Sequence, residues 1–158
     1  MRIGFASDIH RLVEGRHLIL SGVVIPFELG EEAHSDGDVV YHAVAESILG
    51  ALALGDLGKH FPDSDPKYKD IDSSIIVKEV VSKMKNAGCR INNIDVSITL
   101  EKPKLKDYIE AMRKNLAGLL ETNLENVSIK AGTNERVGPL GRNEAVKAES
   151  IVLLKEAE

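Results

Sequence analysis

Apolar and polar positions alternate from the start of the chain. In RIGFASDIH, residues 2–10, Ile3, Phe5 and Ser7 fall on one side of an extended segment and Gly4, Ala6, Asp8 and His10 on the other, which predicts a strand. HLILSGVVI, residues 17–25, predicts a second strand, or two short ones broken at Gly22. Residues 26–34 read as a loop rich in Glu and Gly. A helix signal begins near Asp36–Asp38, with Ser35 or Asp36 as N-cap, and runs through VVYHAVAESILGALAL to about Leu54. Apolar residues nearly encircle that helix, so it is expected to be buried. GDLGKHFPDSDPKYKD, residues 55–70, is rich in turn residues and too long for a bare connector, which points to a functional or a mobile segment.

Further on, Asp72 or Ser73 can cap a helix that runs to Asn86 and stops at Gly88. IDVSITL, 94–100, alternates as a strand, and Pro103 and Lys104 lead into a helix over about 105–120. NVSIKAG, 126–132, predicts another strand, TNERVGPLGRNE a second loop, and AVKAESIVLL, 145–154, a closing strand. Strands interspersed with paired helices predict an α+β fold, with a mixed sheet of four to five strands and helices packed on one face. The other face then lacks a cover, which a chain of this size can obtain from copies of itself. There is no internal repeat, low-complexity segment or linker, and 158 residues suit one domain spanning 1–158.

Composition narrows the function classes. With 43% apolar residues the chain can fill a core. Its 20 basic and 25 acidic residues leave a net charge of −5, which disfavours a general nucleic-acid binder. A polyanionic ligand would then need metals or a local cluster to supply positive charge. Cys89 is the only cysteine, so neither an intrachain disulfide nor a cysteine-based zinc knuckle can form. That usage, an N-terminus too polar for a signal peptide and the lack of a long apolar run lead us to expect a cytoplasmic protein with no membrane partner.

Candidate chemistry lies at a few polar positions. Asp8 and His10, spaced i, i+2 on a strand, share a side. With His42 they offer a carboxylate and two imidazoles, the pattern of a catalytic zinc with an open fourth position. The plainer alternative is a chance D-x-H beside a hydrogen-bonded core histidine. Glu46, one turn beyond His42, can orient a metal-bound histidine or pair with a lysine. His34 and Ser35 precede the helix and suit a phosphate, although simple capping also explains them. Lys130, Thr133, Glu135 and Arg142 flank the second glycine-containing loop and can hold phosphate oxygens and a divalent cation, or merely be solvated.

Taken together, DIH at 8–10, HSDGDVVYHA at 34–43, LGALALGDLGKHFPDSDPKYK at 49–69, KPK at 102–104, KAGTNE at 130–135 and GR at 141–142 agree in order and spacing with one family. The chain resembles the 2-C-methyl-D-erythritol 2,4-cyclodiphosphate synthases over nearly its whole length. The resemblance implies an enzyme of non-mevalonate isoprenoid synthesis that cyclises 4-diphosphocytidyl-2-C-methyl-D-erythritol 2-phosphate and releases CMP. It implies zinc on Asp8, His10 and His42, and a second cation, Mg2+ or Mn2+, at Glu135. It also implies transition-state stabilisation by His34 and Thr133. Substrate contacts are implied at Asp8, His10, His34, Ser35, Asp56, Gly58, Phe61, Asp63 and Asp65. Leu100, Lys104, Leu105, Ala131, Gly132, Thr133, Asn134 and Glu135 would serve the cytidine and diphosphate, and Arg142 a phosphate. A homotrimer with active sites between subunits is implied as well. Ser7 and Pro139 stand where large aromatics are common in that family. Gly132 and Asn134 stand where threonines are common, so a hydroxyl contact there is lost or replaced by backbone. A zinc phosphohydrolase and a metal-holding trimeric binding module are the competing readings.

Overall fold

The computed structural model describes residues 1–158. Strand β1 (Arg2–Glu14) is followed by the short strands β2 (Leu18–Leu20), β3 (Val23–Ile25) and β4 (Leu29–Glu31). Helix α1 (Val39–Ala51), helix α2 (Leu57–His60) and a 3-10 turn at Pro66–Tyr68 lead to α3 (Ser73–Asn86). Then come β5 (Cys89–Thr99), α4 (Ile109–Leu119), β6 (Val127–Gly132), α5 (Gly138–Gly141) and β7 (Ala145–Glu156). The mixed sheet has five strands in the order β4-β1-β7-β5-β6, and β2 and β3 form a separate hairpin. β7 runs antiparallel to both β1 and β5, whereas β5 and β6 are parallel. A parallel pair needs a crossover, and α4 supplies it. No helix is long and apolar enough to cross a membrane.

Four differences from the expected elements have local causes. β4 lies inside the expected 26–34 loop. It is three residues long, too short for periodicity to reveal, and exists because Leu29–Glu31 pair with Leu12–Glu14. The expected 55–70 loop holds α2 and the 3-10 turn, each capped by an aspartate: Asp56 accepts from the Lys59 N–H and Asp65 from the Lys67 N–H. The cap of α1 is Asp38 rather than Ser35 or Asp36. Its buried carboxylate accepts N–H groups from Tyr41 at 3.1 Å, Ser21 at 3.0 Å and Gly22 at 2.7 Å, so it starts the helix and holds the β2–β3 turn at once. The helix stops at Ala51, short of Leu54, where Ala53 takes a left-handed backbone with φ 58°.

The helices cover one sheet face. Val40, Val44 and Ile48 of α1 join Ile98 of β5 and Val152 of β7 in a core cluster of 36 buried residues. α1 sits very close to β1: a Cβ added at Gly4 would lie 1.9 Å from the Ser47 carbonyl oxygen. The opposite face is open. Phe5 (59% exposed) pairs across strands with Ile151 (49%), and Ile3 (71%) stands next to them.

One buried acid has no full set of partners. Glu31 is fully buried; its Oε2 accepts from the Ile19 N–H at 3.0 Å, and its Oε1 has no partner. Burial, reinforced by the nearby Asp38 and Asp36 charges, pushes its pKa up to about 9 from 4.5, despite the Ile19 N–H. An acid whose folded pKa is raised favours folding fully only below its unfolded pKa. That contribution falls as pH rises from about 4.5 to about 9. Glu31→Gln should therefore leave stability unchanged near pH 4.5 and raise it by roughly 3 kcal/mol at pH 7, at ~1.4 kcal/mol per unit. Urea midpoints of both proteins at several pH values check this, and parallel pH profiles would refute it.

Candidate metal and phosphate site

β1 and α1 build the centre of the site. Asp8 and His10 point to the helix side of β1, and His42 projects from the second turn of α1. The Asp8 Oδ2 lies 3.0 Å from His10 Nε2 and 3.4 Å from His42 Nδ1, and the two ring nitrogens are 3.4 Å apart. Ligand atoms from all three residues fall within 4.8 Å of one another. The far nitrogen of each ring is also held. His10 Nδ1–H donates to the Gly37 carbonyl at 2.8 Å, and His42 Nε2 lies 2.9 Å from Ser73 Oγ and 3.1 Å from Ser35 Oγ. Gly37 is suited to this place because its φ is +84° and a Cβ there would meet Glu31 Cβ at 2.6 Å.

The electrostatics fit a cation. Burial on its own would raise the Asp8 pKa, but hydrogen bonds and charge from His10 and His42 outweigh it and hold the carboxyl well below the usual range. Burial opposes a charged His10, yet the Asp8 carboxylate and the Gly37 carbonyl raise its pKa. One carboxylate oxygen and two imidazole nitrogens converge, with the far ring nitrogens anchored; this donor set suits a zinc-like divalent ion. Glu46 does not orient His42. Its Oε1 accepts the Leu57 N–H at 3.0 Å, because the first turn of α2 needs an acceptor.

The triad lies at the head of a 530 Å³ cleft that also takes in His34, Ser35, Gly58, Phe61 and Asp63. His34 Nε2 approaches the Asp65 carbonyl at 3.3 Å, and Phe61 packs edge-on to Tyr68 at 5.5 Å. Asp56 and Asp65 cap the wall elements of the cleft. A second hollow of 440 Å³ joins Leu100, Lys104 and Leu105 to Ala131, Gly132 and Thr133. A third recess, 1070 Å³, adds Glu135 and Arg142 beside Thr133. Thr133 Oγ1 accepts the Glu135 N–H at 3.2 Å, and Arg142 pairs with Glu144. Asn134 faces inward to the loop, its Nδ2 donating to the Val137 carbonyl at 2.8 Å.

One chain does not bring these two sets together. Asp8 pairs with Ala148, Ala148 with Ile98, and Ile98 with Ala131. Three strand spacings therefore separate the triad from the 131–135 loop, roughly 14 Å across the sheet. Sequence reasoning also missed three residues. Ser73 holds the His42 ring, Asp36 holds Ser73, and Glu101 accepts the N–H groups of Asn134 and Arg136 to shape the second loop. Only Asp36, inside the HSDGD motif, carried a visible signal.

Comparison with known proteins adds a family. Residues 1–155 match the profile of the YgbB family. A protein of Brachyspira hyodysenteriae named 2-C-methyl-D-erythritol 2,4-cyclodiphosphate synthase is 52% identical over 158 residues, 100% of both chains. The solved bifunctional IspDF of Campylobacter jejuni superposes with a TM-score of 0.95 at 39% identity; the match covers 99% of this chain and 42% of that one. IspF of Plasmodium falciparum, solved as a CDP complex, superposes with a TM-score of 0.87 at 30% identity over 99% of this chain and 97% of its own.

Proposed function

We infer the activity from the premise that this chain belongs to the YgbB family. It is a 2-C-methyl-D-erythritol 2,4-cyclodiphosphate synthase, a lyase of non-mevalonate isoprenoid synthesis. The 2-phosphate of 4-diphosphocytidyl-2-C-methyl-D-erythritol 2-phosphate attacks the β-phosphorus of the same molecule. The bond from that phosphorus to the bridging oxygen breaks, its electron pair leaves with CMP, and an eight-membered cyclic diphosphate remains. The observation that carries this reading is the Asp8–His10–His42 cluster at the head of a cleft large enough for a phosphorylated tetritol.

A phosphate monoester has a second pKa of about 6, so the nucleophile is ionised at neutral pH and no general base is needed. When bound, zinc on Asp8, His10 and His42 and a magnesium or manganese ion at Glu135 supply the positive charge that a chain of net charge −5 lacks. The residues of the chain do the rest. Ser35, Gly58, Phe61 and Asp63 hold the methylerythritol end, with Asp56 and Asp65 keeping that wall in shape. Leu100, Lys104, Leu105, Ala131, Gly132 and Asn134 seat the cytidine, without the hydroxyls that threonines at 132 and 134 would bring. His34 and Thr133 donate hydrogen bonds to oxygens that gain charge, and Arg142 meets a phosphate. Ring closure depends on this positioning, which is worth roughly 7–11 kcal/mol in well-aligned model reactions.

The separation of triad and 131–142 segment within one chain supports a site shared between copies. A homotrimer packed through the open sheet face completes it and covers Ile3, Phe5 and Ile151. Residues 1–158 then act as one domain, and a cytidine nucleotide substrate fits a cytoplasmic enzyme. Phe5→Glu should convert trimers to monomers in sedimentation and lower turnover at least tenfold; an unchanged trimer would remove this face from the interface. The reaction itself is tested by phosphorus NMR of the protein with substrate, zinc and magnesium. CMP and cyclic diphosphate signals are expected. A linear hydrolysed product would instead make the protein a zinc phosphohydrolase, and unchanged substrate a binding module.

A further inference from the structure

His42 enters the site with its outer nitrogen buried between two serines, and only one of them has a proton with a fixed destination. Ser73 is fully buried, and its hydroxyl donates to Asp36 Oδ1. That carboxylate receives two more donors, the Ser73 N–H on Oδ2 and the Asp38 N–H on Oδ1, both at 3.1 Å, so it acts as an acceptor only. The Ser73 hydroxyl proton goes to this charged acceptor rather than to Ser35 Oγ, which stands 3.5 Å away. Ser73 Oγ, 2.9 Å from His42 Nε2, can then only accept, so the neutral His42 that binds a metal carries its proton on Nε2. Its Nδ1 is left with a free lone pair facing Asp8 and His10. Ser35 Oγ cannot dictate this, because it accepts from the Gly37 N–H at 3.2 Å and its own proton has no fixed acceptor. The segments that carry Asp36 and Ser73 are also joined by backbone: the Asp70 N–H donates to the His34 carbonyl at 2.7 Å and the Asp36 N–H to the Ile71 carbonyl at 3.0 Å.

We propose that Ser73 and Asp36 are positioning residues that lock the tautomer and ring orientation of His42 for metal binding, so that the head of α3 sets metal affinity. The proposal deepens the metal-site reading above and rests on it. Carboxylate or hydroxyl partners behind a ligating histidine typically contribute 10–100-fold in metal affinity. Ser73→Ala removes the hydroxyl while keeping the N–H that binds Asp36, and Asp72, which caps α3 through the Ser74 N–H, is untouched, so the fold is retained.

The test is zinc affinity of the full chain, measured by competition with a chromophoric chelator, paired with nitrogen-15 NMR of the metal-free protein at alkaline pH. Ser73→Ala should bind zinc roughly 10–100-fold more weakly, and Ser73→Thr, which keeps the hydroxyl, should recover most of the loss. Asp36→Asn should weaken binding in the parent and add little in the Ser73→Ala background, since both act through one hydroxyl. The NMR spectrum should show His42 protonated on Nε2 in the parent and a mixture of tautomers in Ser73→Ala. Parent-like zinc affinity in Ser73→Ala, or an unchanged His42 tautomer, overturns the proposal. A parent protein that binds no zinc overturns the metal-site reading instead, and the tautomer comparison still decides the relay.

Discussion

His42→Ala will lose zinc and turnover together. The residue supplies one of only three converging protein donors, and its outer ring nitrogen is held by Ser35 and Ser73. Removing it leaves an aspartate and one histidine, too few to hold a divalent ion against bulk water at micromolar concentration. The chain has no other means of neutralising the phosphates at this end of the cleft, where Asp8, Asp63, Glu32 and Glu46 are the charged lining groups besides the histidines. A metal acting as Lewis acid contributes several kcal/mol to charge stabilisation, so kcat/KM should fall by at least roughly 10³-fold. Asp8→Asn should fall less far in zinc affinity, since an amide oxygen can still coordinate but brings no charge. Zinc content by elemental analysis, thermal unfolding of each variant and product formation by phosphorus NMR separate metal loss from misfolding. A folded His42→Ala protein that keeps stoichiometric zinc and turns over within about tenfold of the parent would remove His42 from the metal set.

Much of this centre was legible because it depends on periodicity. Alternation along β1 put Asp8 and His10 on one side, and the burial of α1 put His42 inside. Their convergence needed only that β1 and α1 touch. What the sequence did not disclose was mostly tertiary. Ser73 reaches His42 across 31 positions, and nothing in a helix start announces that its first side chain will face another helix. Glu46 was a reasonable candidate by helical spacing, yet an unsatisfied N–H at α2 claimed it. β4, α2 and α5 have three or four residues each, too few to repeat a pattern; β4 exists by pairing with β1, and α2 is started by its Asp56 cap. Motif order along the chain was likewise silent on distance. KAGTNE and DIH read as parts of one site, and only the strand register shows that a single chain holds them three strands apart.

Gly4→Ala should destabilise the protein more than any surface change, and Gly4→Val should prevent folding. The new Cβ would stand 1.9 Å from the Ser47 carbonyl oxygen, 2.7 Å from the Ala51 nitrogen and 2.9 Å from its Cβ. The closest of these atoms are backbone, so no rotamer change relieves the overlap. Neither element can yield easily. β1 pairs with β7 from Arg2 to Arg11 and with β4 from Leu12 to Glu14. α1 is fixed at its start by the Asp38 cap and along its length by the Ser47–Ser150 hydroxyl pair at 2.9 Å. Overpacking a core usually costs 1–3 kcal/mol where side chains can move; here backbone must separate by more than an ångström, so at least about 3 kcal/mol is expected. For a chain of this length that corresponds to a fall in Tm of roughly 6–12 °C. The displacement has a functional consequence too, because Asp8 sits four residues along the same strand face. Lifting β1 from α1 moves Asp8 and His10 away from His42, so the folded fraction of Gly4→Ala should also bind zinc more weakly. Thermal unfolding and zinc titration on one preparation test both effects. A Gly4→Ala protein melting within about 2 °C of the parent would mean that β1 and α1 are not in the close contact on which the site depends.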